Sequence, residues 1–242
     1  MQHSEGSSIE PLQTPPSTRP RIKICGVRSL PDASDAAAAG ADYIGLLFVP
    51  GRRRKLDADM AEIIVSGMKD GGWQGTKTVG LFADQPIEEV NSTVRRCGID
   101  LVQLCGKESM DYCAQVEAPL IRVVHVPEHL GPHDVDTSLV PRLAELEREG
   151  YMITLDRKVE GLQGGTGQTF DWEVARVLSE EGFSFLLAGG LTPENVGEAV
   201  TVAHPWGVDV SGGVETGGAK DKDKVLAFVA AACGAADPIP FQ

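Results

Sequence analysis

The sequence predicts one (β/α)8 barrel. Strand-like and helix-like runs alternate strictly along the chain, eight of each, which is the pattern of a parallel sheet with a helix after every strand. The chain has 242 residues, a length at which α/β barrels fold as single units. The competing arrangement, an open doubly wound sheet, usually carries a glycine-rich dinucleotide fingerprint after its first strand. Here that place reads "KICG", without it.

The elements follow in order. "RIKIC" (21–25) is the first strand, followed by a helix around 31–39. "DYIGLLF" (42–48) precedes a helix at 57–69 opening on Asp57, a side chain suited to accept from the free amides of a first turn. "KTVGLF" (77–82) leads to 86–96, "IDLVQL" (99–104) to 107–116, and "PLIRVVHV" (119–126) to 138–149. "YMITLD" (151–156) precedes a helix at 171–181 capped by Asp171, and "SFLLAG" (184–189) one at 193–202 opening on Thr192-Pro193. "WGVDVS" (206–211) precedes the last helix, 221–232. The barrel is thus expected over 21–234, with 235–242 a C-terminal tail. Residues 1–20, "MQHSEGSSIEPLQTPPSTRP", read as a flexible N-terminal tail or linker from their Ser, Thr and Pro content, and lack the apolar centre of a signal peptide.

Composition limits the partners. With 35 acids against 22 bases the net charge is −13, which repels nucleic acid and anionic lipid. No apolar run approaches membrane-spanning length. The five cysteines are odd in number and no two stand at CxxC spacing, which argues against a zinc site or disulfide framework and for a reducing compartment, the cytoplasm. An anionic ligand would need a local positive patch or oriented backbone amides.

A barrel places its site at the C-terminal ends of the strands. Cys25 ends the first strand. It reads either as a small buried hydrophobe or, facing the mouth, as a thiol able to serve as a base. Asp156 ends the sixth strand. It reads either as a loop cap or as a carboxyl that apolar surroundings keep protonated, hence a general acid. The two strands are not neighbours, so Cys25 and Asp156 face each other across the mouth. Gln103, at the fourth strand's tip, is a candidate substrate contact. The turns "AGGLTPENV" and "DVSGGVE" follow the last two strands, where glycine-rich loops commonly cradle phosphate. Gly189, Gly190, Ser211, Gly212 and Gly213 are the candidates, with Gly164, Gly165 and Gly167 of the sixth loop able to add amides. Arg52, Arg53 and Arg54 form either a solvated basic loop or a source of one carboxylate clamp. Side chains alternate along a strand, so Lys23 points inward with Cys25, and Asp209 with Ser211. Strands eight and one are neighbours in a closed barrel, so the pair is expected to meet inside as supporting residues, unless register turns one outward.

These motifs ("KICG", "AGADYIGLLF…R", "VGLF", "DLVQL", "LD…GGTGQTFDW", "LLAGGLTPENV" and "GVDVSGGVE") resemble, in the same order, the phosphoribosylanthranilate isomerase family of tryptophan biosynthesis. The resemblance runs from about Lys23 to the final helix. It implies a single barrel of the ribulose-phosphate-binding type that performs an Amadori rearrangement on a small phosphorylated substrate without cofactor or metal. It implies Cys25 as general base, Asp156 as general acid, Arg54 on the substrate carboxylate, and the last two loops on the phosphate. Two positions depart from the family pattern: "LHG" becomes "LCG" at Cys105, and "DVSSG" becomes "DVSGG" at Gly212. The "GRRRK" loop resembles fungal forms, in which this barrel is often one part of a fused polypeptide. Two alternatives make different demands. A histidine-pathway isomerase, with the same chemistry on a related barrel, would carry an aspartate at position 25. A phosphate-binding barrel without activity would have lost Cys25 or Asp156.

Overall fold

The computed structural model describes residues 19–127, 130–158 and 171–235. Eight parallel strands close into a barrel in sequence order: β1 (Arg21–Cys25), β2 (Tyr43–Leu47), β3 (Lys77–Phe82), β4 (Leu101–Leu104), β5 (Leu120–Pro127), β6 (Met152–Lys158), β7 (Phe185–Leu187) and β8 (Gly207–Val210). The helices between them are α1 (Leu30–Ala39), α2 (Ala58–Asp70), α3 (Ile87–Cys97), α4 (Met110–Cys113), α5 (Val135–Ser138), α6 (Val140–Arg148), α7 (Trp172–Glu180), α8 (Val196–Ala203) and α9 (Lys222–Gly234). A two-stranded hairpin, β9 (Glu215–Thr216) with β10 (Ala219–Lys220), sits between β8 and α9.

The strands bury two cores because their side chains alternate. Ile22 and Ile24, Val102 and Leu104, Ile153 and Leu155, and Val208 and Val210 join the cluster that packs strands against helices. Val79, Leu81, Leu101 and Ile121 form a smaller cluster, against which Cys25 and Cys105 pack. Closure depends on one glycine. Arg21 pairs with Gly207, and a Cβ there would lie 2.6 Å from the Arg21 carbonyl oxygen.

Several boundaries differ from expectation. The helix expected at 107–116 is one turn, α4, and that expected at 138–149 divides into α5 and α6 around Leu139. Asp57 and Asp171 cap α2 and α7 as the sequence suggests. Thr192-Pro193 does not open α8; the cap position is Asn195, whose carboxamide oxygen instead accepts the Thr192 amide at 2.7 Å. Asp156 does not end its strand, since the seven-pair ladder with β5 carries β6 on to Lys158. The expected tail at 1–20 overlaps the described residues only at its end, and there Arg19 is held, with both guanidinium tips on Asp42 at 2.8 and 3.1 Å. Arg19 also lies beside Cys233 of α9. Residues 1–18 and 236–242 lie outside the described residues.

Candidate active site

The mouth of the barrel holds a cavity of about 570 Å³, the size of a small-molecule site. Cys25 and Asp156 both line it, on β1 and β6. Gly45 is the register partner of Cys25, and a Cβ there would stand 2.9 Å from the sulfur, so the glycine gives the thiol its room. Burial pushes the Cys25 thiol up, and the nearby Asp209 carboxylate adds to this, while the Lys23 and Lys220 ammoniums pull it down. Asp156 is raised to about 6, chiefly by burial and secondly by Asp209, against a backbone hydrogen bond from Arg157 and the charge of Lys23. Gly189 lies against this carboxyl, since a Cβ there would come within 3.0 Å of Oδ1.

Below them, the Lys23 ammonium donates to Asp209 Oδ2 at 2.6 Å, inside the barrel. Lys23 is fully buried, and Asp209 faces it from β8. Asp209 Oδ1, Gln103 Oε1 and Thr154 Oγ1 are buried with no hydrogen-bond partner among the described residues. All three residues line the cavity, giving it a polar floor. Cys105 lies beside Gln103, whose amide donates to its sulfur at 3.6 Å. Burial pushes this thiol up to about 12, which favours its neutral form.

The last two loops meet at the β7–β8 side of the mouth. Gly189 and Gly190 have φ of 92° and 70°, a region costly for other residues. Asn195 ties the loop by donating to the Gly190 carbonyl at 3.0 Å. Gly213 touches the neighbouring loop so closely that a Cβ would fall 1.9 Å from the Leu191 carbonyl oxygen. The amides of Gly190, Gly212 and Gly213 have no hydrogen-bond acceptor among the described residues. Ser211 does not point at them, because its hydroxyl donates to the Cys25 carbonyl at 3.0 Å. Gly164, Gly165 and Gly167 lie outside the described residues.

All three arginines of the triplet border the cavity, but their surroundings differ. Arg54 crosses over Gly26, where a Cβ would strike its Cδ at 2.5 Å, and reaches Gly212, where Nη2 would stand 3.3 Å from a Cβ. Arg53 is turned outward and half-exposed, held by Glu215 and the Gly218 carbonyl. The sequence reading missed Glu215, Lys220, Gly45 and Thr154. Thr154 alone carried a signal, two residues before Asp156 on the same strand face. Among the described residues, no group of three or more His, Cys, Asp or Glu side chains is placed to hold a metal ion.

A closed (β/α)8 barrel with a thiol, a carboxyl and two glycine-rich turns around one cavity defines the class of barrel enzymes that act on small molecules at the strand ends. The family model for N-(5′-phosphoribosyl)anthranilate isomerase matches residues 22–231. A protein of that name from Geobacter metallireducens is 42% identical over 210 residues, covering 86% of this chain and 96% of the relative. The crystal structure of phosphoribosyl anthranilate isomerase from Thermotoga maritima superposes with a TM-score of 0.75 at 30% identity, covering 88% of this chain and 98% of that one. A multifunctional tryptophan biosynthesis protein of Phycomyces blakesleeanus is 33% identical over 257 residues, which cover 89% of this chain but 33% of the relative. The chain belongs to the N-(5′-phosphoribosyl)anthranilate isomerase family.

Proposed function

We propose that the cavity carries out the family's reaction, the Amadori rearrangement of N-(5-phosphoribosyl)anthranilate to 1-(o-carboxyphenylamino)-1-deoxyribulose 5-phosphate, with Asp156 as acid and Cys25 as base. This is the third step of tryptophan synthesis from chorismate. The observation that carries the reading is the pairing of a carboxyl raised to about 6 with a thiol on a separate strand of the same small cavity.

The Asp156 carboxyl gives its proton to the furanose ring oxygen. The C1′–O bond breaks as the nitrogen lone pair forms C1′=N, leaving a protonated Schiff base. The Cys25 thiolate takes the C2′ proton, and the electron pair moves through C1′=C2′ to neutralise the nitrogen. The enolamine then becomes the ketone, with C1′ gaining a proton and the C2′ hydroxyl losing one. The two transfers leave Cys25 protonated and Asp156 ionised, and exchange with that last proton pair or with solvent resets them. The buried oxygens of Asp209, Gln103 and Thr154 offer partners to the sugar hydroxyls. Unpaired amides at Gly190, Gly212 and Gly213 suit the phosphate, and Arg54 suits the anthranilate carboxylate. Holding both anionic ends keeps C2′ near the sulfur and the ring oxygen near the acid.

The likeness to a longer tryptophan-pathway protein supports a setting in which this barrel is one module of a larger polypeptide. No described helix is long and apolar enough to cross a membrane, which fits work in the cytoplasm. The test is a steady-state assay following the loss of substrate fluorescence. Cys25→Ala should remove turnover while binding of a reduced product analogue stays near wild type. Wild-type kcat in that variant would take the thiol out of the reaction.

A further inference from the structure

Glu215 stands outside the chemistry yet ties its rim together. It opens β9, directly after the 3-10 turn Gly212–Val214, and its side chain is only 7% exposed. Oε1 accepts from Arg54 Nε at 2.6 Å and from the Lys220 ammonium at 3.2 Å. Oε2 accepts from Arg54 Nη2 at 3.1 Å and Arg53 Nη2 at 2.5 Å. Lys220 also donates to the Ser211 carbonyl at 2.9 Å, so the hub is joined to the strand end that carries the cradle.

A guanidinium has five N–H groups in a flat fork. Glu215 takes the Nε and Nη2 side of Arg54. The end formed by Nη1 and the second Nη2 hydrogen is the other edge able to receive a carboxylate in two parallel hydrogen bonds. Nη1 has no hydrogen-bond partner among the described residues, and the side chain borders the cavity. One carboxylate faces three cations here, Arg53, Arg54 and Lys220, so the hub remains positive and still attracts an anion.

We propose that Glu215 is the positioning residue for recognition of the substrate carboxylate: it grips one edge of Arg54 and presents the other edge to the cavity. The inference rests on the reading of Arg54 as the carboxylate clamp. Without the grip, a long, rotamer-rich side chain must be ordered anew at each binding event, which weakens binding by up to about tenfold. The acid and base do not touch Glu215, so the chemical step is spared.

The test compares two reduced product analogues, one carrying the ring carboxylate and one with hydrogen in its place. Their Kd values are measured for wild type, Glu215→Gln, Arg54→Ala and the double variant, with KM and kcat for substrate alongside. The expected result for Glu215→Gln is a Kd for the carboxylated analogue and a KM raised about tenfold, kcat within about twofold, and no change for the analogue lacking the carboxylate. The double variant should bind no worse than Arg54→Ala alone. Equal losses for both analogues would make Glu215 a clamp on the hairpin and overturn the proposal. Unchanged binding of both would do the same. If Arg54→Ala binds both analogues as wild type does, the Arg54 reading itself falls, and the role of Glu215 with it. Should Glu215→Gln not fold, Glu215→Asp, which keeps the charge but withdraws it by one methylene, reads the same split between the analogues.

Discussion

Lys23 and Asp209 are register partners on the two strands that close the barrel, and their side chains meet at 2.6 Å inside it. The last strand is thereby joined to the first by an ion pair as well as by backbone hydrogen bonds. Burial works against the Lys23 charge, yet Asp209 and Cys25 outweigh it and hold the ammonium above its usual range.

Removing one member of this pair leaves an uncompensated buried charge, at a cost of about 3–5 kcal/mol. Asp209→Ala is therefore expected to lower both the melting temperature and kcat. Lys23→Met with Asp209→Leu should recover more stability than activity, because the double variant restores packing but not the fields acting on Cys25 and Asp156. Denaturant unfolding and turnover of the three variants check this. An unchanged midpoint and rate in Asp209→Ala would refute it.

The pH dependence has an unusual expected form. In the proposed mechanism Asp156 acts protonated, and burial raises its carboxyl to about 6. In the same mechanism Cys25 acts ionised, and burial pushes its thiol above the ordinary value. Below about 6 the rate rises with pH as thiolate forms. Above it, growth in thiolate is offset by loss of the protonated acid, and kcat/KM levels off. In Asp156→Asn the residual rate, lower by about 10²–10⁴, should keep climbing through pH 7 and 8. A bend that persists near 6 would assign that ionisation to another group. The same variant should gain thermal stability at pH 8 more than at pH 4, because a raised carboxyl costs the native state only where it is ionised.

Gly213 offers a test of the anion cradle. A methyl group there collides with the Leu191 backbone and must push the last two loops apart. Gly213→Ala is expected to weaken inorganic phosphate competition and raise KM, with little effect on the ionisation expected near pH 6. Titrating phosphate as a competitive inhibitor reads this directly, and a wild-type inhibition constant would mean that the anion binds elsewhere.

Glu215 should also mark acid stability. Burial opposes its charge, but hydrogen bonds from Arg54 and Arg53 and the charge of Lys220 bring it down to about 2. A depressed carboxyl stabilises the fold fully above its ordinary value of 4.5 and loses that contribution as pH falls toward 2. The gap in melting temperature between wild type and Glu215→Gln should therefore narrow from pH 6 to pH 3. A gap independent of pH would mean that the charge of Glu215 contributes nothing.

What could be read from the sequence was whatever follows from period and ring order. The alternation of apolar residues fixes the eight strands, the two-residue repeat turns Lys23 inward beneath Cys25, and closure makes β8 its neighbour. Glu215 escaped because its partnership with Arg54 spans 161 residues and joins two irregular loops, where no periodicity points. The shortness of α4 escaped for a similar reason. Arg122 on the outer face of β5 holds buried Glu108 at 2.9 Å, and this cross-strand anchor ends the β4 loop just before the helix. The extension of β6 past Asp156 depends on its pairing partner, whose length the local residues do not encode.

Arg19 gripping Asp42 beside Cys233 puts the entry to β1 and the exit from α9 together at the base, because each helix runs back against its strand. Both ends of the described chain thus lie on the side of the barrel opposite the mouth. The two described ends therefore leave the opening clear for substrate traffic.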